Sequence, residues 1–188
     1  MFMRAHAMVL PSVRRLENRM SDYDFRKADQ SDLVQGVALA EHLTGLELAS
    51  PDAILEMESI TNHTIWVTAQ PVEGIILSIP LTYTGMRAVR DGSYRPGAPN
   101  PEHLCAEGDW CYGLYVGVYA GATHAARKNI MNISATLRFE IFAEVPFFAR
   151  GATPDGRRSM ESLGFKPIEG GLKDLYVQEA LVTARGVA

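Results

Sequence analysis

The chain has 188 residues, of which 47% are hydrophobic and 21% charged, and carries a net charge of −4. That length suits one domain with a full core, and the composition is that of an ordinary soluble globular protein. The weak negative charge excludes nucleic-acid binding by bulk electrostatics, no apolar run approaches membrane-spanning length, and the two cysteines lack disulfide-framework or metal-site spacing.

Residues 1–20 read as an N-terminal extension, ahead of a domain over residues 21–188. Arg4, Arg14, Arg15 and Arg19 outweigh the lone acid Glu17, but no apolar core of a secretory signal follows them. Val9, Val13, Leu16 and Met20 recur at helical spacing, with Pro11 in a first turn. The spacing predicts a short amphipathic helix packed on the domain or on a second copy of it, with a frayed extension as the alternative. Cys105 and Cys111 read as reduced thiols in a cytoplasmic setting.

Residues 23–28 alternate like a strand, and Asp29 to Asp32 supply helix-capping side chains. Leu33, Val34, Val37, Ala40 and Leu43 form a helical stripe, with Gly45 as its stop. Ser50-Pro51-Asp52 opens a second helix that ends near Asn62. Residues 64–70 and 75–86 read as strands joined by the turn Pro71-Val72-Glu73-Gly74. Residues 87–109, rich in Gly and Pro, read as a long loop over an active site or a plain surface excursion.

Residues 110–118 are rich in β-formers but lack the alternation of a half-exposed strand, which suits a strand covered on both faces. Gly113 and Gly117 lie inside the run, and glycine there often marks a bulge. Tyr119 to Thr123 then form a small-residue turn. Ala126, Ile130, Ile133, Leu137 and Ile141 continue at helical spacing. Strand, turn and helix start together make an anion site, because the first helical turn offers free N–H groups at the positive end of its dipole. Residues 145–150 read as another buried strand. Thr153 and Pro154 then open a short helix with Met160 and Leu163 inward and Gly164 as its end. Residues 165–168 and 175–181 close the chain as a strand pair. The order is that of a mixed α/β domain.

This order, together with RRSMESLGF at residues 157–165 and the strand-turn-helix at 114–126, resembles the GNAT N-acetyltransferase superfamily. The resemblance covers most of residues 21–180. It implies a central mixed sheet flanked by helices, with splayed central strands beside a bulge. It also implies an acyl-CoA-dependent N-acyltransferase, with acetyl-CoA or another acyl-CoA as donor. The acceptor would be a small-molecule or peptide amine, in a protein that often dimerises. Val116, Gly117 and Val118 would meet the pantetheine arm and polarise its thioester. Gly121, Ala122, Thr123, His124, Ala125 and Ala126 would lie on the diphosphate loop, and Thr153 would reach the pantetheine. Here Gly121 replaces the family's Gln or Arg, and His124 its first motif glycine. Met160 replaces a tyrosine that reprotonates the CoA thiolate, and methionine cannot donate a proton. A non-catalytic GNAT-fold acyl-CoA-binding or regulatory protein is therefore the alternative. For catalysis, Glu107 and Asp109 are the nearest acids to serve as base, and Tyr115 is a candidate acid. The histidines show no ligand spacing, so no metal is expected, and His103-Leu104-Cys105 is a thiol–imidazole pair by adjacency alone.

Overall fold

In the computed structural model, which describes residues 6–151 and 153–181, β1 (Met8–Val9) pairs antiparallel with β5 (Trp110–Cys111). Ser12 then caps α1 (Val13–Ser21) by accepting the Arg15 N–H, and Leu16 and Met20 are buried. Helical spacing would include Val9, yet Val9 lies in β1 and is 50% exposed. Proline pushes the residue before it out of the helical region, so Pro11 keeps the helix from starting earlier. Arg4 lies outside the described residues.

Asp29 and Asp32 open α2 (Gln30–Thr44) with a reciprocal capping box. Asp29 Oδ1 accepts the Asp32 N–H at 2.8 Å, and Asp32 Oδ2 accepts the Asp29 N–H at 3.0 Å. Asp32 is fully buried, and its Oδ1 also accepts from Arg26 Nη2 at 2.9 Å, which ties β2 (Phe25–Lys27) to the helix start. The Arg26 guanidinium holds this carboxyl below the usual carboxylate range, against the opposing effect of burial. Gly36 lets α2 close on the sheet, since a Cβ there would lie 2.9 Å from Ile75 Cδ1.

Ser50 and Pro51 start α3 (Pro51–Thr61), and Asn62 ends it in the left-handed region. The strands β3 (Ile65–Thr68) and β4 (Gly74–Leu81) then form the expected antiparallel hairpin. The next stretch departs from the sequence pattern: residues 83–86 are helix rather than strand. Thr82 Oγ1 accepts the Gly85 N–H at 3.2 Å and starts α4 (Tyr83–Asp91), which buries Ala88 and Val89. The loop read over residues 87–109 shrinks accordingly. Its first part is helix, Pro101–His103 form a 3-10 turn, and Leu104 bridges to Leu81.

The strand β6 (Gly113–Gly121) runs past Val118, because Tyr119, Ala120 and Gly121 pair with Ile76, Ile75 and Gly74. Thr123 caps α5 (His124–Thr136), which continues into a wide π-helical turn (Leu137–Ile141) where the Phe142 N–H reaches the Leu137 carbonyl at 2.8 Å. After β7 (Phe147–Arg150), Thr153 caps α6 (Pro154–Ser162), and β8 (Lys166–Pro167) pairs with β9 (Leu175–Gln178). Helical spacing turns Met160 and Leu163 inward, but α6 buries no residue and Leu163 is 51% exposed. The helix borders an open cleft instead of lying flat on the sheet.

The central sheet has the order β2-β3-β4-β6-β7-β9-β8, with β6 and β7 its one parallel pair among the described residues. One apolar layer lies between the sheet and α2, α3 and α4, and the other between the sheet and α1 and α5. This is the expected mixed α/β sheet flanked by helices. Among the described residues no helix is long and apolar enough to cross a membrane.

Replacing Asp32 with Ala removes a cap acceptor and leaves the Arg26 charge unpaired. The expected loss is about 2–3 kcal/mol in urea unfolding. A carboxyl with a lowered folded pKa stabilises above its unfolded pKa and loses that contribution as pH falls through the folded one. Acidification below the ordinary aspartate range of about pH 4 should therefore destabilise the wild type more than Asp32→Asn.

Candidate active site

The site begins with a one-residue bulge. Leu77 pairs with Val118 and Ser78 with Val116, so Gly117 is an extra residue on β6 with no partner on β4. The extra residue exchanges the two faces of the strand. Tyr115 packs in the same layer as Val118 and Ala120, while Leu114, Val116 and Tyr119 pack in the other. A Cβ on Gly117 would lie 2.8 Å from Leu77 Cδ2 and 3.3 Å from the Leu77 carbonyl, so a side chain there must displace Leu77.

At the same point β6 leaves β7. Leu114, Tyr115 and Val116 pair with Phe147, Phe148 and Ala149, whereas residues 117–121 have no ladder partner on that side among the described residues. The gap opens into a cleft of about 460 Å³ between β6, β7, α5 and α6. A second cavity of about 370 Å³ lies toward α2 and is lined by Glu47, Tyr115 and Pro96. The two share Leu46, Gly117 and Arg150, so they meet where the strands part. The first cleft is largely apolar. Met131, Phe139, Leu163 and Leu46 line it, although each is more than a third exposed. Exposed apolar side chains gathered at one opening mark a surface that takes an apolar ligand.

Val116, Gly117, Val118 and Thr153 all line this cleft, so four of the expected binding residues come together. Thr153 also caps α6, accepting the Gly156 N–H at 3.0 Å. Met160 and its neighbour Ser159 line the cleft as well. The expected diphosphate loop lies outside it. Gly121, Ala122, Thr123, His124, Ala125 and Ala126 are absent from its lining, which reaches Tyr119 on β6 and Ile130 on α5. Thr123 accepts the Ala126 N–H at 3.1 Å, and the Ala122 N–H goes to the Glu73 carbonyl at 2.8 Å. Glu73 Oε2 also accepts the Thr123 hydroxyl at 2.9 Å, so a carboxylate stands at the helix start where an anion would bind. The N–H groups of His124 and Ala125, both exposed, remain without helical partners.

The two acids read from the sequence are engaged elsewhere. Glu107 Oε2 accepts the Val13 N–H at the start of α1, and Asp109 Oδ2 accepts the Ala106 N–H at 3.0 Å. Neither lines either cavity. Tyr115 lies in the second cavity. Burial pushes its phenol up to about 12, with Arg150 beside it acting the other way. Cys105 is buried, and the neighbouring Cys111 thiol together with burial pushes its own thiol up, which makes a poor nucleophile.

Comparison with protein-family models and with curated proteins found no match. Among solved structures, the fold is similar to Ard1 from Thermoplasma volcanium, with TM-score 0.47 and 12% identity over 81% of this chain and 93% of that one. It is also similar to the GphF GNAT-like decarboxylase in complex with isobutyryl-CoA, with TM-score 0.45 and 17% identity over 80% of this chain and 79% of that one. A third is the ribosomal-protein-S5-alanine acetyltransferase from Vibrio fischeri, with TM-score 0.43 and 13% identity over 83% and 92% of the two chains. At these values the likeness concerns the course of the chain and carries nothing about activity.

Three residues at the site have no motif in the sequence. Glu47 is the one carboxylate that lines either cavity among the described residues. Tyr119 lines the first cleft, and its buried hydroxyl has no partner among the described residues. Burial raises the Tyr119 pKa, with the nearby Ser78 hydroxyl acting the other way, so the phenol keeps its proton at neutral pH. Glu73 enters through the pairing of Gly74 with Gly121, which sets the hairpin turn beside the start of α5.

Gly117→Val should cost about 1–3 kcal/mol, read as a fall in Tm.

Proposed function

We propose that the protein is an acyl-CoA-dependent N-acyltransferase. The observation that carries this reading is the unpaired edge of β6 after Val116, opening into an apolar cleft on one face of the sheet and, on the other, into a cavity that holds Glu47 and Arg150. A thioester arm needs such an arrangement: an apolar slot, with backbone donors at the place where its carbonyl stops. The residues present fit that arm well. The far end fits a diphosphate less closely, since His124 and Ala125 offer N–H groups but Glu73 stands beside them.

An acyl-CoA bound in this way supplies an activated acyl group. The N–H groups of Gly117, which has no partner on β4, and of Tyr119, which faces away from β4, are the nearest backbone donors for the oxygen that gains charge. The acceptor amine approaches through the second cavity, where Glu47 takes its proton. Tyr119 serves as the proton donor to sulfur, a role Met160 cannot fill. Much of the acceleration comes from holding amine and thioester on either side of one gap in the sheet.

Glu73 and Met160 favour a second reading, a protein of this fold that binds acyl-CoA without turnover. Thiol release with a panel of amines separates the two. Release supports the enzyme, and tight binding without release supports the binding protein. Calorimetric titration with CoA and acetyl-CoA should show saturable binding, and its absence at millimolar ligand would contradict both.

For an active protein, Glu47→Gln should lower kcat/KM by roughly 10²-fold and leave acyl-CoA affinity unchanged. Glu73→Gln should tighten CoA binding by about fivefold, the effect of ~1 kcal/mol for one charge at a helix start.

A further inference from the structure

We propose that the inner end of the cleft reads a carboxylate on the acyl group, so that the preferred donor is the thioester of a short dicarboxylic acid. The inference rests on the reading of the cleft as a thioester site, and Arg138 carries it. This arginine sits on the π-helical turn and is 4% exposed, yet it lines the cleft. Turns of this kind recur at functional sites, because the widened helix displaces a side chain from the regular surface.

The Arg138 guanidinium has no carboxylate partner among the described residues. Its Nη1 donates to the carbonyls of Phe142 at 3.2 Å and Val145 at 3.0 Å, and Nη2 donates to the Glu179 carbonyl. All three acceptors are neutral. The ring of Phe147 lies 4.9 Å away and contributes a quadrupole but no charge. Burial lowers the pKa only to about 10, with Glu179 acting the other way, so the group is a cation at neutral pH. No Asp or Glu lines the cleft. Nε is buried without a partner among the described residues, and Nη2 has a second hydrogen. These two nitrogens share the guanidinium edge that takes a carboxylate in two parallel bonds. A buried cation left in this state is costly, and a ligand carboxylate offsets that cost.

The position along the strand selects the acyl group as the source of that carboxylate. Arg138 stacks on Phe147, which pairs with Leu114, two residues before Val116. Two strand residues span roughly 7 Å. Arg138 therefore lies beyond the point where the strands part, on the closed side. A thioester held at the gap directs its acyl chain toward that end and its carrier toward the open one. A short dicarboxylic chain plus one hydrogen bond covers the distance, whereas an acetyl group stops short of it.

The test is calorimetric titration of the full chain with CoA, butyryl-CoA and succinyl-CoA, without acceptor. Butyryl and succinyl chains match in carbon number and differ in the terminal charge. Succinyl-CoA should bind at least tenfold more tightly than butyryl-CoA, and Arg138→Gln should erase that ratio while leaving butyryl-CoA affinity within about twofold. Equal or tighter binding of butyryl-CoA by the wild type would overturn the inference and leave the thioester reading standing. If none of the three binds, the thioester reading itself fails and this inference with it. Arg138 also braces three carbonyls, so the titration of its variant is paired with a check that the variant is folded. If the variant is unfolded, the wild-type ratio decides alone, with free CoA as the reference for the carrier's own phosphates.

Discussion

One steric fact governs the site: β6 holds one residue more than β4 can pair, and that residue is glycine. The bulge at Gly117 does three things at once. It exchanges the faces of the strand, so that Tyr115 and Val118 share a layer. It follows directly on Val116, the last residue of β6 that pairs with β7, and so stands where the sheet opens. It also leaves backbone, rather than a side chain, at the junction of two cavities. Any larger residue would press on Leu77, the strand neighbour that fixes the register.

The cleft that results is asymmetric in charge. Its inner end holds a buried arginine with spare donors, and its walls hold no acid. Beyond its open end, the start of α5 carries a carboxylate from the neighbouring hairpin turn. A helix start ordinarily favours an anion, and here Glu73 satisfies that preference internally through Thr123. The proposed donor must accept both conditions: a negative group welcomed at the acyl end and a discounted anchor at the carrier end. Affinity in such a site comes mainly from the apolar slot and the inner cation.

Much of the fold is legible because its signals are local. Asp29 with Asp32, Ser50 with Pro51, Thr123, and Thr153 with Pro154 each cap a helix where the sequence pattern puts one. α4 is missed because Thr82 ends a continuous β-rich run and only Ala88, Val89 and Gly85 turn inward. Two glycines in one strand signal a bulge, but only three-dimensional pairing distinguishes Gly117 from Gly113. The missing alternation over residues 110–118 has a cause besides two-sided burial, since the bulge reverses the pattern midway. Site acids are the least legible. Glu107 and Asp109 stand near the strand in sequence and are spent on α1 and a turn. Glu47 follows a helix that begins with Gln30 and reaches the cavity only through the packing of that helix on the sheet.

The central claim is that the unpaired edge of β6 receives a thioester arm. Titrating CoA into 15N-labelled protein tests it most directly, by the amide shifts it produces. The account predicts the largest changes at Gly117, Val118 and Tyr119, with smaller ones at His124 and Ala125. Changes confined to other surfaces, or none at these residues at saturating CoA, would contradict it.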